Sequence, residues 1–232
     1  MNTLETMGLF REIFELRVYA EHGLTLAAGS VVVDAGANIG LFALFVIAQC
    51  PDAVVHCFEP APPVAELLRA NTHRHPGILV NQAGLGATSG RAAFTYFPRA
   101  SLFSGYDAED AKRRVIASLG EQWRRNTRGR SGVEAFCKTE SVDTRVESLS
   151  DYIDAHGIER IDLLKIDVEG WECAVVDGVR PEHWPRIARV AMEVHCDEHL
   201  RRLSPFLAER GFRVEAVQQE PAIHMVYAIR EI

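Results

Sequence analysis

The sequence predicts a single doubly wound α/β domain on a mostly parallel sheet, and three observations predict it. Short, almost wholly apolar runs such as Val31–Val33 and Ile161–Ile166 alternate with helical stretches, the pattern of strands buried on both faces. The first of these runs ends in a glycine-containing turn that leads straight into a helix, Val31-Val-Val-Asp-Ala-Gly-Ala-Asn-Ile-Gly40. The chain has 232 residues, 47 % of them hydrophobic and 25 % charged, enough to bury roughly 70–75 % of its unfolded surface in one core.

Within residues 1–22, Leu9, Phe10, Ile13, Phe14 and Val18 recur at helical spacing, so Leu4–Glu21 is expected to form an amphipathic N-terminal helix. After the strand at Val31–Val33, Asn38–Gln49 reads as a helix and Ala53–Phe58 as a buried strand. Pro62–His75 is a helix with proline near its start, and Ile78–Asn81 a third strand. Further on, Asp151–His156 belongs to a helix, Ile161–Ile166 is a strand, Gly170–Val179 a helix and Ile187–Val194 a strand. Glu198–Arg210 is a helix ended by Gly211. The strands Phe212–Val217 and His224–Ile229 sit so close in sequence that they should pair as an antiparallel hairpin at the sheet edge.

One stretch interrupts the alternation. About forty residues separate Phe97 from Cys137, too many for an ordinary connection. In Asp107–Arg125 one helical stripe carries Ala108, Ala111, Val115, Ile116, Leu119 and Trp123. Lys112, Arg113, Arg114, Arg124 and Arg125 lie on the other face, and Arg128 and Arg130 follow. Residues 98–137 are therefore read as an inserted helical lid within one domain, 1–232, its basic face either solvated or turned towards an anionic partner.

A net charge of −7 gives no electrostatic reason to expect bulk nucleic acid as a partner. The longest apolar stretch, Leu41–Ala48, is too short to cross a bilayer, and the N-terminus shows no signal-peptide pattern. Five cysteines (Cys50, Cys57, Cys137, Cys173 and Cys196) are odd in number and never spaced C-x-x-C. They read as reduced thiols of a cytoplasmic protein.

The glycine turn carries the strongest chemical signal. Gly36 and Gly40 allow close backbone approach to a ligand, and the helix beginning near Asn38 offers unpaired N–H groups. Asp34 stands where a dinucleotide fingerprint would have its first glycine; a carboxylate there repels a pyrophosphate and suits a ligand bearing an amino group or a sulfonium. Glu59, nineteen residues after Gly40, occupies the position from which an acid accepts hydrogen bonds from both ribose hydroxyls. Ala83 and Gly84, just past the third strand, complete the expected cofactor set, with Asp167 at the end of a central strand.

Val33-Asp-Ala-Gly-Ala-Asn-Ile-Gly40, Phe58-Glu-Pro60, Lys165-Ile-Asp-Val-Glu-Gly-Trp-Glu172 and Met192-Glu-Val-His195 resemble the successive motifs of FkbM-type methyltransferases. The resemblance runs from about residue 20 to the C-terminus. It implies the seven-stranded sheet of class I methyltransferases, S-adenosylmethionine as methyl donor and usually a hydroxyl oxygen as acceptor. Tyr96-Phe-Pro-Arg99 with Ser104-Gly105 also looks like versions of the family from polyketide and nonribosomal peptide pathways. The acceptor is then a natural-product or carbohydrate hydroxyl, on a small molecule or tethered to a carrier protein.

Asp167, Glu169, Glu193 and His195 all lie at or just past carboxyl ends of strands, where doubly wound sheets bind ligands. An alcohol acceptor must lose its proton as the bond forms, and a histidine titrating near neutrality suits that task. His195 is the expected base, with Glu193 or Glu169 orienting its ring; the alternative is that it caps the strand or the next helix. Asp167 contacts the methionine amino group or the acceptor, or else caps the helix at Gly170. Lys165 pairs with Glu169 or Glu193, or reaches the rim. The same cluster has the donor types of a metal site, but its spacing does not demand one and no metal is expected. Two rivals stay open: a nicotinamide-dependent oxidoreductase, which shares the ribose acid but not this turn, and a non-catalytic cofactor-binding or carrier-docking module.

Overall fold

The computed structural model describes residues 3–20, 22, 24–118 and 137–230. Its main sheet has seven strands in the order β3-β2-β1-β7-β8-β10-β9. These are β1 Val31–Ala35, β2 Val54–Phe58, β3 Ile78–Asn81, β7 Leu163–Ile166, β8 Arg189–Val194, β9 Phe212–Glu220 and β10 Ile223–Arg230. The first five pair in parallel, while β10 runs antiparallel to both neighbours, so the C-terminal edge hairpin is present. The central strands are apolar because helices cover both faces, and two separate clusters of buried side chains form the two layers. Chain order reverses direction between β1 and β7, which places a ligand crevice above their carboxyl ends.

The helices are α1 Thr3–Phe10, α2 Leu41–Gln49, α3 Pro62–Thr72, α4 Ala108–Ser118, α5 Leu149–His156, α6 Glu172–Asp177 and α7 Asp197–Ala208. Two depart from expectation. The N-terminal helix stops at Phe10, continues as a π-helical turn over Arg11–Glu15, and breaks at Arg17, whose φ is +54°. A 3₁₀ turn then follows at Val18–Ala20. The helix expected from Asn38 begins only at Leu41, because Asn38 (φ +50°) and Gly40 (φ +88°) are left-handed.

A second sheet was not expected. The strands β4 Gly84–Leu85, β5 Gly90–Tyr96 and β6 Glu140–Glu147 form a three-stranded sheet in the order β4-β6-β5. On β6 Val142, Thr144 and Val146 turn inward while Ser141, Asp143 and Arg145 face out, a period-two alternation made inconspicuous by the strand's polar composition.

From the inserted stretch, α4 packs through Ala111 and Val115 onto Phe97 and Ala100. Ile116, assigned to the same stripe, is instead exposed. Arg114, assigned to the solvated basic face, turns inward. Leu119, Trp123, Arg124, Arg125, Arg128 and Arg130 lie outside the described residues. All five cysteines are free thiols, and no helix among the described residues is long and apolar enough to cross a membrane.

Candidate active site

A cleft opens above the carboxyl ends of β1 and β7. At one end it is lined by Gly36, Asn38, Glu59, Gly84 and Tyr106, and at the other by Tyr19, Lys165, Asp167 and Glu169. Apolar side chains including Leu9, Ile13, Phe42, Phe94 and Leu102 fill in the walls.

The glycines earn their places through packing. A Cβ on Gly36 would lie 1.8 Å from the Asp167 carbonyl oxygen, so only glycine lets the β1 and β7 turns meet. Gly40, expected to admit a ligand, is instead shaped by α3: its Cβ would lie 2.6 Å from Leu68 and 3.0 Å from Thr72. Neither Gly40 nor the buried Ala83 lines the cleft.

Glu59 holds the turn open from below. Its Oε2 accepts from Asn38 N–H at 3.1 Å and its Oε1 from Ala61 N–H at 2.8 Å. Burial raises its pKa to about 7 against those two hydrogen bonds. A carboxylate has about four lone-pair sites, so two remain for the hydroxyls of a ribose. Gly36 and Gly84 line the cleft beside this carboxylate, each packed too closely on its other side, against Asp167 and Tyr106, to carry a side chain.

Asp34 was expected to face the cofactor, but it is wholly buried and lies behind the cleft wall. Lys165, 3 % exposed, reaches it at 3.0 Å, donates to the Gly36 carbonyl at 3.0 Å, and lies 3.6 Å from Asp167. Its partners are therefore Asp34 and Asp167, not Glu169 or Glu193. The lysine ties β1 to β7. Asp167 faces the cleft and accepts from the Tyr19 hydroxyl at 3.2 Å; it does not cap α6.

Glu169 occupies a left-handed conformation at φ +56°, a strained geometry for a side-chain-bearing residue. The turn is held by Gly170 N–H, which donates to Glu172 Oε1 at 2.8 Å, and by Arg114, which forms an ion pair with the Glu169 carboxylate.

His195 sits behind Glu169 and Asp167 and does not itself line the cleft. Its ring is oriented by Glu172, not by Glu193 or Glu169: Nδ1 lies 2.6 Å from Glu172 Oε1. Nε2 points to Glu169 Oε2 at 3.4 Å and Glu193 Oε1 at 3.9 Å. The other Glu172 oxygen accepts from His199 Nδ1 at 2.8 Å. Burial works to raise the Glu172 pKa, yet these two histidines hold it down at about 2. Glu172 thus stays ionised and can only accept, so Nδ1 carries a proton in either state of His195 and Nε2 is the atom that titrates. Burial lowers the His195 pKa, but Glu172, Glu193 and Asp167 outweigh it and raise the value above 6.5. Glu193 is pushed up to about 8 by burial and by Asp167. Cys196, not His195, caps α7. Donor atoms of Asp167, Glu193 and His195 lie within 4.8 Å of one another, close enough to compete for one proton or cation.

Glu172, His199, Tyr19 and Arg114 escaped the sequence reading. Glu172 stood inside the most distinctive motif, but nothing in linear spacing shows that it meets a histidine twenty-three positions later.

Comparison with known proteins follows this geometry. A protein-family model described as the methyltransferase FkbM domain matches residues 34–214. The chain is 40 % identical over 240 residues to the 31-O-demethyl-FK506 methyltransferase FkbM of Streptomyces tacrolimicus, covering 99 % of this chain and 92 % of that protein. It is 33 % identical to the AMB antimetabolite synthetase AmbE of Pseudomonas aeruginosa over 99 % of its own length, which is 12 % of that much longer protein. Among solved structures, the precorrin-6y C5,15-methyltransferase of Geobacter metallireducens matches with a TM-score of 0.53 at 12 % identity, covering 95 % of this chain and 88 % of the other. A SAM-dependent methyltransferase from Aquifex aeolicus matches at 0.50 and 11 %, over 99 % and 98 % of the two chains, and both likenesses concern the fold alone. With the family model spanning most of the chain and a full-length relative at 40 % identity, the chain belongs to the FkbM family of S-adenosylmethionine-dependent methyltransferases.

Proposed function

We propose that this methyltransferase acts on a hydroxyl oxygen of a natural-product or carbohydrate acceptor. The observation that carries the reading is one cleft with a ribose-type acid, Glu59, at one end and Asp167 and Glu169, backed by the Glu172–His195 pair, at the other. The cofactor supplies an activated methyl on a sulfonium, whose carbon–sulfur electron pair leaves with sulfur as the acceptor oxygen bonds to carbon. Gly36, Asn38, Glu59 and Gly84 hold the nucleoside, and Lys165 with Asp167 meets its amino-acid end. The rigid switch-point loops align the reactants, which in well-oriented systems removes up to roughly 7–11 kcal/mol of the barrier.

His195 Nε2 takes the acceptor proton, and Glu172 stabilises the imidazolium that results. Glu169 and Glu193 flank that nitrogen, and Asp167 holds the acceptor from the cleft wall. No metal enters this reading, because in-line transfer of an already activated methyl asks for alignment and a base rather than a Lewis acid. The relative that acts on 31-O-demethyl-FK506 supports a complex hydroxyl acceptor, and the synthetase relative supports one presented on a carrier protein. The test is incubation with the methyl donor and a panel of 31-O-demethyl-FK506, carbohydrates and carrier-loaded hydroxy-acyl groups, followed by mass spectrometry. A methyl ether on oxygen is expected; transfer to nitrogen or carbon alone would overturn the acceptor assignment.

Two results should accompany it. S-adenosylhomocysteine should bind in the micromolar range, and Glu59→Ala should weaken it by roughly 1.5–3 kcal/mol, the worth of hydrogen bonds to a charged group. Because unliganded Glu59 titrates at about 7 and the ribose needs an acceptor, affinity should rise with pH through that range. Calorimetric titration reads both, and an unchanged mutant would remove Glu59 from the ribose site. Replacing residues 108–136 of the proposed lid with a short flexible linker should abolish turnover and leave cofactor binding nearly intact. Full turnover after that replacement would sink the lid assignment.

A further inference from the structure

The nitrogen that must receive a proton does not face the cleft unobstructed. Glu169 stands between His195 Nε2 and the ligand space, and one oxygen of its carboxylate serves two partners. Oε2 lies 3.4 Å from His195 Nε2 and is also the atom paired with Arg114 Nη1. Arg114 grips the same residue a second time, donating from Nη2 to the Glu169 carbonyl at 2.6 Å. A two-point grip of this kind fixes both the side chain and the left-handed backbone that carries it. The guanidinium is only 14 % exposed, so water screens the contact little. Arg114 comes from α4, inside the inserted stretch, whereas Glu169 and His195 come from the shared core.

We propose that Arg114 is a positioning residue for the proton-accepting step: by holding Glu169 it keeps that carboxylate from closing onto His195 Nε2. With Arg114 in place, the Glu169 oxygen is shared, and the imidazole nitrogen stays available to an incoming hydroxyl. Without it, Glu169 carries an uncompensated charge beside the ring and forms a full ion pair with it. Through Arg114 the inserted stretch thereby reaches the carboxylate beside the base. This inference rests on the reading of His195 as the base, and its test is chosen to be independent of turnover.

The groups that face His195 come from several elements. Glu172 contacts Nδ1 from the start of α6, and Glu193 approaches Nε2 from β8 at 3.9 Å. Asp167 acts from the end of β7, and His199 on α7 shares Glu172. Glu12 from the N-terminal π-helical turn and Lys165 from β7 act on Glu193. His224 on β10, opposite Val194, points to Asp197 at 3.8 Å. Glu169 joins them from the turn after β7, held by Arg114, and the double variant below isolates that contact.

The measurement is an NMR titration of the His195 ring, its signal identified by its loss in His195→Gln, in protein saturated with S-adenosylhomocysteine. Arg114→Gln should raise the midpoint by about one unit, a tenfold change in proton affinity, with Arg114→Lys between it and the wild type. Glu169→Gln should lower the midpoint, and in that background Arg114→Gln should add no upward shift. S-adenosylhomocysteine affinity by calorimetry should stay within about threefold, showing that the fold and cofactor site are intact. An unmoved midpoint in folded Arg114→Gln overturns the proposal. If that variant does not fold, Glu169→Gln decides: a midpoint that fails to fall overturns it equally. Loss of activity in His195→Ala bears on the base, not on Arg114, so the two readings fail separately.

Discussion

His195→Ala should lower kcat by about 10²–10⁴, the usual contribution of a general base, while S-adenosylhomocysteine affinity changes little. The expectation follows from a ring whose Nδ1 is fixed 2.6 Å from an ionised Glu172 and whose Nε2 is the one titrating atom. The sign of the pH effect is set by the same neighbours. A base works deprotonated, and the carboxylates raise the His195 pKa above 6.5. The wild-type rate should therefore climb on the alkaline side of that value and level off above the folded pKa, and the limb should vanish in the mutant. Dialysis of the wild type against a chelator should leave the profile unchanged. Near-normal kcat in His195→Ala would make the residue structural, and Asp167 or Glu169, which line the cleft, would take its place as leading candidates.

Lys165→Met should be the most destabilising single change in the molecule outside the apolar core. The methionine matches the lysine stem in volume, but it leaves Asp34, wholly buried, without its cation, and it removes the hydrogen bond to Gly36. Breaking a buried pair by removing one partner costs about 3–5 kcal/mol. In a domain of this size that lowers Tm by roughly 6–20 °C. The double variant Lys165→Met with Asp34→Asn should recover part of the loss, since the uncompensated charge is gone. Thermal melts check both, and a melting temperature within about 2 °C of wild type for Lys165→Met would show the pair to be dispensable.

These two expectations divide along a line that runs through the whole protein. The strands of the main sheet, the edge hairpin and the position of the cleft were legible in the chain. Apolar runs buried on both faces can be neither surface strands nor loops, and parallel strands with helical crossovers put their ligand at the switch point. Glu59 was legible for the same reason: an acid at the end of the second strand can hardly point elsewhere. The small second sheet was not, because the period-two pattern of β6 rests on Val142, Thr144 and Val146 alone, small groups within a polar stretch. Nor were the exact helix starts, where Asn38 and Gly40 take left-handed conformations that only the packing of α3 explains.

The partners of the charged residues belong to tertiary structure alone. Asp34, Lys165, Glu169 and His195 were each visible as chemistry-bearing residues at or near strand ends, and Glu172 was not. Which acid meets which base depends on side chains two to five ångströms apart, and a shift of one position in a loop exchanges them. Linear spacing assigned Lys165 to Glu169 or Glu193 and the His195 ring to Glu193 or Glu169. Burial decided otherwise, because a desolvated charge must find the partner that can be buried with it. Asp34 could not be left unpaired inside the sheet, so it claimed Lys165, and Glu172, sealed beneath two histidines, claimed His195. The sequence by itself thus pointed to the family, the sheet and the place of the cleft; only the packed structure decided which residues hold the His195 ring, and that Arg114 reaches in from the insertion to hold Glu169 beside it.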